Sequence, residues 1–137
     1  MPGMDHILSK GFLATGGSVA YAFGQVVKQA AASTLQPAQC ALATATTDAI
    51  IGVAQEDLDA VKTNTGKAII GVAVEGTVKC IAGTNNIAIG QKMTVDSSSR
   101  VIASTTATDK CVGIAMSAST AVGDYVDVLL TPGAFCA

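Results

Sequence analysis

The stretch Asp48-Ala49-Ile50-Ile51-Gly52-Val53-Ala54 returns further along the chain as Asp109-Lys110-Cys111-Val112-Gly113-Ile114-Ala115. Both copies keep the order Asp, apolar, Gly, apolar, Ala at one spacing. Upstream of them stand Phe23-Gly24-Gln25 and Ile89-Gly90-Gln91, and between lie stretches of small residues and threonine, Ala41 to Thr47 and Val101 to Thr108. Glycine lets one strand pass close to another backbone, and alanine leaves room for a large neighbour. The repetition describes two similar modules, residues 23–75 and 89–130, each a glycine turn, a strand, a small-residue segment and another strand.

Working outward, short apolar segments alternate with turn chemistry. Val19, Tyr21 and Phe23 alternate with Ala20 and Ala22, the period-two mark of a strand. Gln25 to Ala32 fits strand through Val26-Val27 or a short helix through its alanines, and Pro37 opens a new segment. Strands are expected at Cys40–Thr44, Ala49–Ala54, Ala68–Val74, Thr77–Ala82, Met93–Val95, Val101–Ser104, Lys110–Met116 and Asp124–Leu130. Glu56 to Val61 reads as a polar connection with one helical turn. Asn64-Thr65-Gly66-Lys67, Gly83 to Asn86 and Asp96 to Arg100 carry turn residues, and Pro132-Gly133 ends the last strand. The fold class is therefore all-β, a small β-barrel or sandwich. Residues 1–18 lack a clear period and read as a flexible or extended N-terminal arm ahead of a single β domain, 19–137.

Composition narrows the function. The chain has 137 residues, enough for one domain with its own core. Hydrophobic residues make up 50%, yet aromatics are only 4% and charged residues 13%, about half the usual charged share. So poorly charged a surface fits either a bland monomer or a protein covered by copies of itself or by a partner; burial by assembly is the expectation. Scattered charges with a net of −2 give no basic footprint for nucleic acid. No apolar run approaches the ~20 residues that span a bilayer. The first residues lack the order of a secretory signal, which makes a cytoplasm the expected place of synthesis.

Reactive chemistry is sparse. Cys40, Cys80, Cys111 and Cys136 are widely spaced, without a Cys-x-x-Cys pair or a nearby histidine, and read as buried thiols, not zinc ligands. Their pairing after oxidation stays open among the alternatives. The acidic group Glu56, Asp57, Asp59 lacks the spacing of a calcium loop and reads as a solvated loop. His6, the only histidine, lies in the expected arm, away from any nucleophile. Ala14-Thr15-Gly16-Gly17-Ser18 lacks the Gly-Lys-Ser/Thr ending of a phosphate loop. No catalytic residue, cofactor or metal is expected. Since aromatic residues anchor interfaces, Phe12, Leu13, Val19, Tyr21 and Phe23 are the candidate contact residues, with capping of the local core as the alternative for the rings.

Ile51-Gly52-Val53-Ala54, Gly71-Val72-Ala73-Val74-Glu75-Gly76, Ile89-Gly90-Gln91-Lys92-Met93-Thr94-Val95-Asp96, Val112-Gly113-Ile114-Ala115 and Val122-Gly123-Asp124-Tyr125-Val126-Asp127-Val128 run in an order that resembles the capsid decoration, or head cement, proteins of tailed bacteriophages. The resemblance spans roughly residues 19–131. It implies a β-barrel or β-tulip domain on the outer capsid surface of a virion, a homo-oligomer with the trimer as expected state. Its partner would be the major capsid protein, whose neighbouring subunits it would clamp against the pressure of packaged DNA, with the arm adding a strand to a capsid sheet. Other readings are a head fibre base, a tail or adhesin module, and a β-barrel enzyme with its site between subunits.

Overall fold

The computed structural model describes residues 7–15, 19–30, 39–63, 67–132, 134 and 136. His6, the glycines at 16–17, Pro37 and the turn at 64–66 lie outside them. The first strands are β1 (Leu8–Ala14), β2 (Val26–Gln29), β3 (Gln39–Leu42), β4 (Ile50–Ala54) and β5 (Ile69–Glu75), with one helical turn, α1 (Ala60–Thr63), before β5. They close into a barrel in the order β1-β3-β2-β4-β5. The remaining strands, β6 (Thr77–Ile81), β7 (Lys92–Val95), β8 (Val101–Ala103), β9 (Gly113–Ala115) and β10 (Tyr125–Leu130), form a 5-stranded sheet in the order β6-β10-β9-β7-β8. Both orders describe one path, first strand to fifth, fourth, second and third. The closed barrel pairs its first and third strands in parallel at Leu13↔Gln39 and Ala14↔Cys40, whereas the sheet retains a single parallel bridge there, Ala82↔Val101. The chain thus holds two five-stranded units of one topology, joined at Gly76, whose φ of 106° suits glycine.

The likeness reaches individual bonds. Gly24 and Gly90 both take positive φ, 88° and 90°. The side-chain oxygens of Gln25 and Gln91 accept from the amides of Ala22 and Ala88, at 2.8 and 2.9 Å. The Gly24 amide donates to the Ala54 carbonyl at 2.9 Å, and the Gly90 amide to that of Ala115 at 2.7 Å. Isolated bridges join Tyr21 to Leu58 and Ile87 to Ser119. A Cβ on Gly52 would strike the carbonyl oxygen of Ala73, and one on Gly113 that of Leu129. The repeated glycines are therefore demanded by the close approach of a facing strand.

Two corrections to the sequence reading follow. Leu8–Ala14 are extended, but they are not an arm detached from the body. They pair with β5 along the register Ser9↔Ala73 to Leu13↔Ile69 and with β3 on the other edge. Ser9, Lys10 and Gly11 point to solvent and hide the usual alternation. Val19 to Phe23 alternates without being a strand: the chain turns at Phe23-Gly24, held by the Gln25 side chain. In the ambiguous segment from Gln25 to Ala32, Val26–Gln29 is strand, β2, and residues 31–32 lie outside the described residues.

Each unit has an interior row. Ala14, Tyr21, Val27, Cys40, Ala54, Leu58, Ile70 and Val72 fill the barrel. The positions matching them in the second unit are Ala82, Ile87, Met93, Val101, Ala115, Ser119, Val126 and Val128, all buried. Full burial of a Val or Ile side chain contributes about 1.5–3 kcal/mol, so these rows are a large share of what holds each unit together. Val26, Ala43, Ile50, Val53 and Ala73 point out of the barrel instead and join the core of the second unit.

Candidate interaction surface

The junction between the units is where the chain shows what its surfaces can hold. The end of β6 and the turn before β8 do not close on each other. The Ile81 amide donates to the Gly24 carbonyl at 3.1 Å, and the Val26 amide donates to the Ser99 carbonyl at 2.8 Å. Gly24–Val26 of the first unit is therefore wedged into the open seam of the second. Ser99 carries φ 64° and is buried, and its hydroxyl donates to the Ala43 carbonyl at 2.7 Å. Asp96 holds that turn: its carboxylate accepts from the amides of Ser98 (2.8 Å) and Arg100 (3.0 Å) and from the Arg100 guanidinium. Around the wedge, Phe23 lies edge-on to Tyr125 with ring centroids 5.8 Å apart. A Cβ on Gly24 would meet Ile81 and the Tyr125 ring at 3.1–3.3 Å.

The candidate contact residues take different places around this junction. Tyr21 is in the barrel core, its hydroxyl donating to the Thr15 carbonyl at 2.6 Å with the Cys40 carbonyl at 3.2 Å. Burial, with Cys40 beside it, holds the phenol well above its ordinary pKa. Phe12 is half-buried against the same core. Leu13 is half-buried at the barrel seam, and Val19 is half-buried ahead of Tyr21. Phe23 makes the junction contact, its amide donating to Asp57 Oδ1 at 2.7 Å. The structure gathers Leu13 and Ile69 at one barrel edge and Phe23 and Tyr125 at the junction; it does not gather the five candidates into one patch. Ile69, Ile89 and Tyr125, all exposed apolar positions, were missed from sequence. For Tyr125 a signal existed, since it lies on the face of β10 opposite Val126, Val128 and Leu130.

The polar candidates serve the fold. Glu56 accepts from the Gly71 amide at 2.9 Å, Asp57 from Phe23, and Asp59 from the Lys62 amide at 2.8 Å as the cap of α1. The three carboxylates thus bind separate amides and do not converge on one point. Among the described residues no group of three or more His, Cys, Asp or Glu could hold a metal ion. The four cysteines are free and buried. Burial pushes the Cys40 thiol up to about 11 and, with Cys111 beside it, that of Cys136 up to about 12. Cys80 is raised further by burial. Protonated, enclosed thiols are poor nucleophiles.

No protein-family model and no curated protein matches this sequence. Among solved structures, the chain is similar to the crystal structure of the head fiber gp8.5 N base of bacteriophage phi29. The TM-score is 0.63 at 14% identity, and the match covers 92% of this chain and 95% of that chain. At this identity the likeness shows the fold: nearly the whole of both chains follows one path.

Proposed function

We propose that the protein is a non-enzymatic structural component of a phage virion, mounted on the outer surface of the head as the base of a fibre. The observation that carries this reading is the near-complete overlap with a head fiber base, which leaves little of either chain outside the shared fold. The paired units support it physically. Their conserved internal features are close-packed glycines, apolar rows and backbone caps, which produce a stiff body and no reactive cluster. In this reading the partner is the major capsid protein, and the protein acts as a homo-oligomer, a trimer.

Fibre base is preferred to a decoration protein that clamps by a free arm. Leu8–Ala14, the segment such an arm would use, is paired with β5 from Leu8 to Leu13 and with β3 at Leu13 and Ala14, so it is built into the barrel and not held free for a capsid sheet. Attachment then falls to the body. Incubating the purified full chain with heads that lack it, followed by sedimentation, tests the role. Saturable co-sedimentation with heads, and none with tails, is expected. Binding to tails alone, or to neither, would remove the proposal.

A further inference from the structure

The repeat makes one surface of the second unit interpretable. Within the chain, the Phe23-Gly24 turn is seated: Gly24 is buried against Ile81 and Tyr125, and Phe23 packs on the Tyr125 ring. The matching turn, Ile89-Gly90, has the same backbone but no seat. Ile89 is 69% exposed, and a Cβ on Gly90 would meet nothing within 4 Å. The matching socket is closed at its backbone, where β1 pairs with β3, but its side-chain face carries an exposed isoleucine. The strand pairings Tyr125↔Ile81 and Ile69↔Leu13 are equivalent, and Ile69 is 49% exposed at the apolar side, with Leu58 and Ala68, of a concavity of about 410 Å³ whose other side is lined by the charged Glu56, Asp57, Lys62 and Lys67. Where the seated pair is Phe on Tyr, the unseated pair is Ile and Ile.

From this juxtaposition we infer that the Ile89-Gly90 turn of one copy docks on the Ile69–Leu13 edge of a second copy, repeating between chains the contact that joins the units within one. A plug on one unit and a socket on the other make a heterologous contact, which builds a closed ring when its rotation closes. The contact between chains is shallower than the one within. β1 and β3 are already paired at Leu13 and Gln39, and Lys92 stands where Val26 enters the seam. The second turn therefore seats its isoleucine without inserting backbone, and association is reversible and concentration-dependent. The contact follows from the repeat alone, whatever particle the protein joins.

Sedimentation and cross-linking of the full chain test it. The wild type is expected to gain mass with concentration, and Ile89→Asp to associate at least ~10-fold more weakly, about 1.4 kcal/mol, with an unchanged melting midpoint at dilutions where both are monomers, because the site is exposed. Ile69→Cys copies mixed with Ile89→Cys copies should form a disulfide under mild oxidation by oxidised glutathione, while neither variant links to itself; the native thiols are buried. A monomer at all concentrations, an Ile89→Cys homodimer, or an assembly indifferent to Ile89→Asp would each overturn the inference.

Discussion

The two units share an interior and differ on the outside. Val26, Ala43, Val53 and Ala73 form a fully buried outer row on the first unit, covered by the second. The matching row of the second unit is Lys92, Ser104, Ile114 and Leu129, half-buried or exposed. Inside, alanine matches alanine at Ala14 and Ala82 and at Ala54 and Ala115, and valine matches valine at Val72 and Val128. Topology here belongs to the inner rows and the glycine turns. The outer rows decide which unit is a neighbour's support and which meets the surroundings.

Exchanging residues between the rows is the sharpest way to break this comparison. Val26→Lys places an ammonium at the covered junction and should cost about 4 kcal/mol, the scale of an unpaired buried charge. Lys92→Val should change stability by less than about 0.5 kcal/mol, as at other surface sites. Urea unfolding of both variants reads the difference; equal costs would mean that the second row is also covered in the free protein. The shared features should instead respond alike. Gly52→Ala and Gly113→Ala each drive a Cβ into a facing carbonyl and should each destabilise by about 3 kcal/mol, at the upper end of overpacking. A cost at one site only would show that the close approach is not common to both units.

A smaller effect is expected where the interior rows disagree. Ser119 stands at the position of Leu58, and its buried hydroxyl has no hydrogen-bond partner among the described residues. Ser119→Ala removes that group and should raise stability by about 1 kcal/mol, the usual cost of an unsatisfied buried hydroxyl, measured as a higher melting temperature.

The mildest effect is set by pH. For Asp48, burial raises the pKa, but the Thr44 and Ala45 amides and the Lys28 ammonium outweigh it and hold the carboxyl below the usual range. For Asp109, the Thr106 side chain is the main cause of the same direction, with Ser104 and Thr46 assisting against slight desolvation. A depressed folded pKa gives stability that is complete above the unfolded value of about 3.9 and is lost as pH falls through the folded value. Unfolding midpoints should therefore drop below about pH 4, and Asp48→Asn and Asp109→Asn should flatten that drop.

Much of this architecture was legible in the sequence because its signals are local. Val126, Val128 and Leu130 announce the inner face of β10, and the two Asp-to-Ala phrases announce strands that need glycine at one point. β1 was not legible as a barrel strand, since Ser9, Lys10 and Gly11 face water and its pairing partner, β5, lies some sixty residues on. Val19 to Phe23 misled because alternation says nothing of a turn closed by a glutamine side chain. The junction was invisible for a related reason. The turn that receives Gly24–Val26 has its left-handed residue at Ser99, not at a glycine, and its bonds to Val26 and Ala43 are long-range.

The proposed role on the head is tested most directly by cryo-electron microscopy of particles purified from the source of this chain. Density for two adjoining five-stranded units on the outer face of the capsid, at the foot of a projecting fibre, is the expected result. Particles whose heads carry no such density, or that show it only in the tail, would contradict the account.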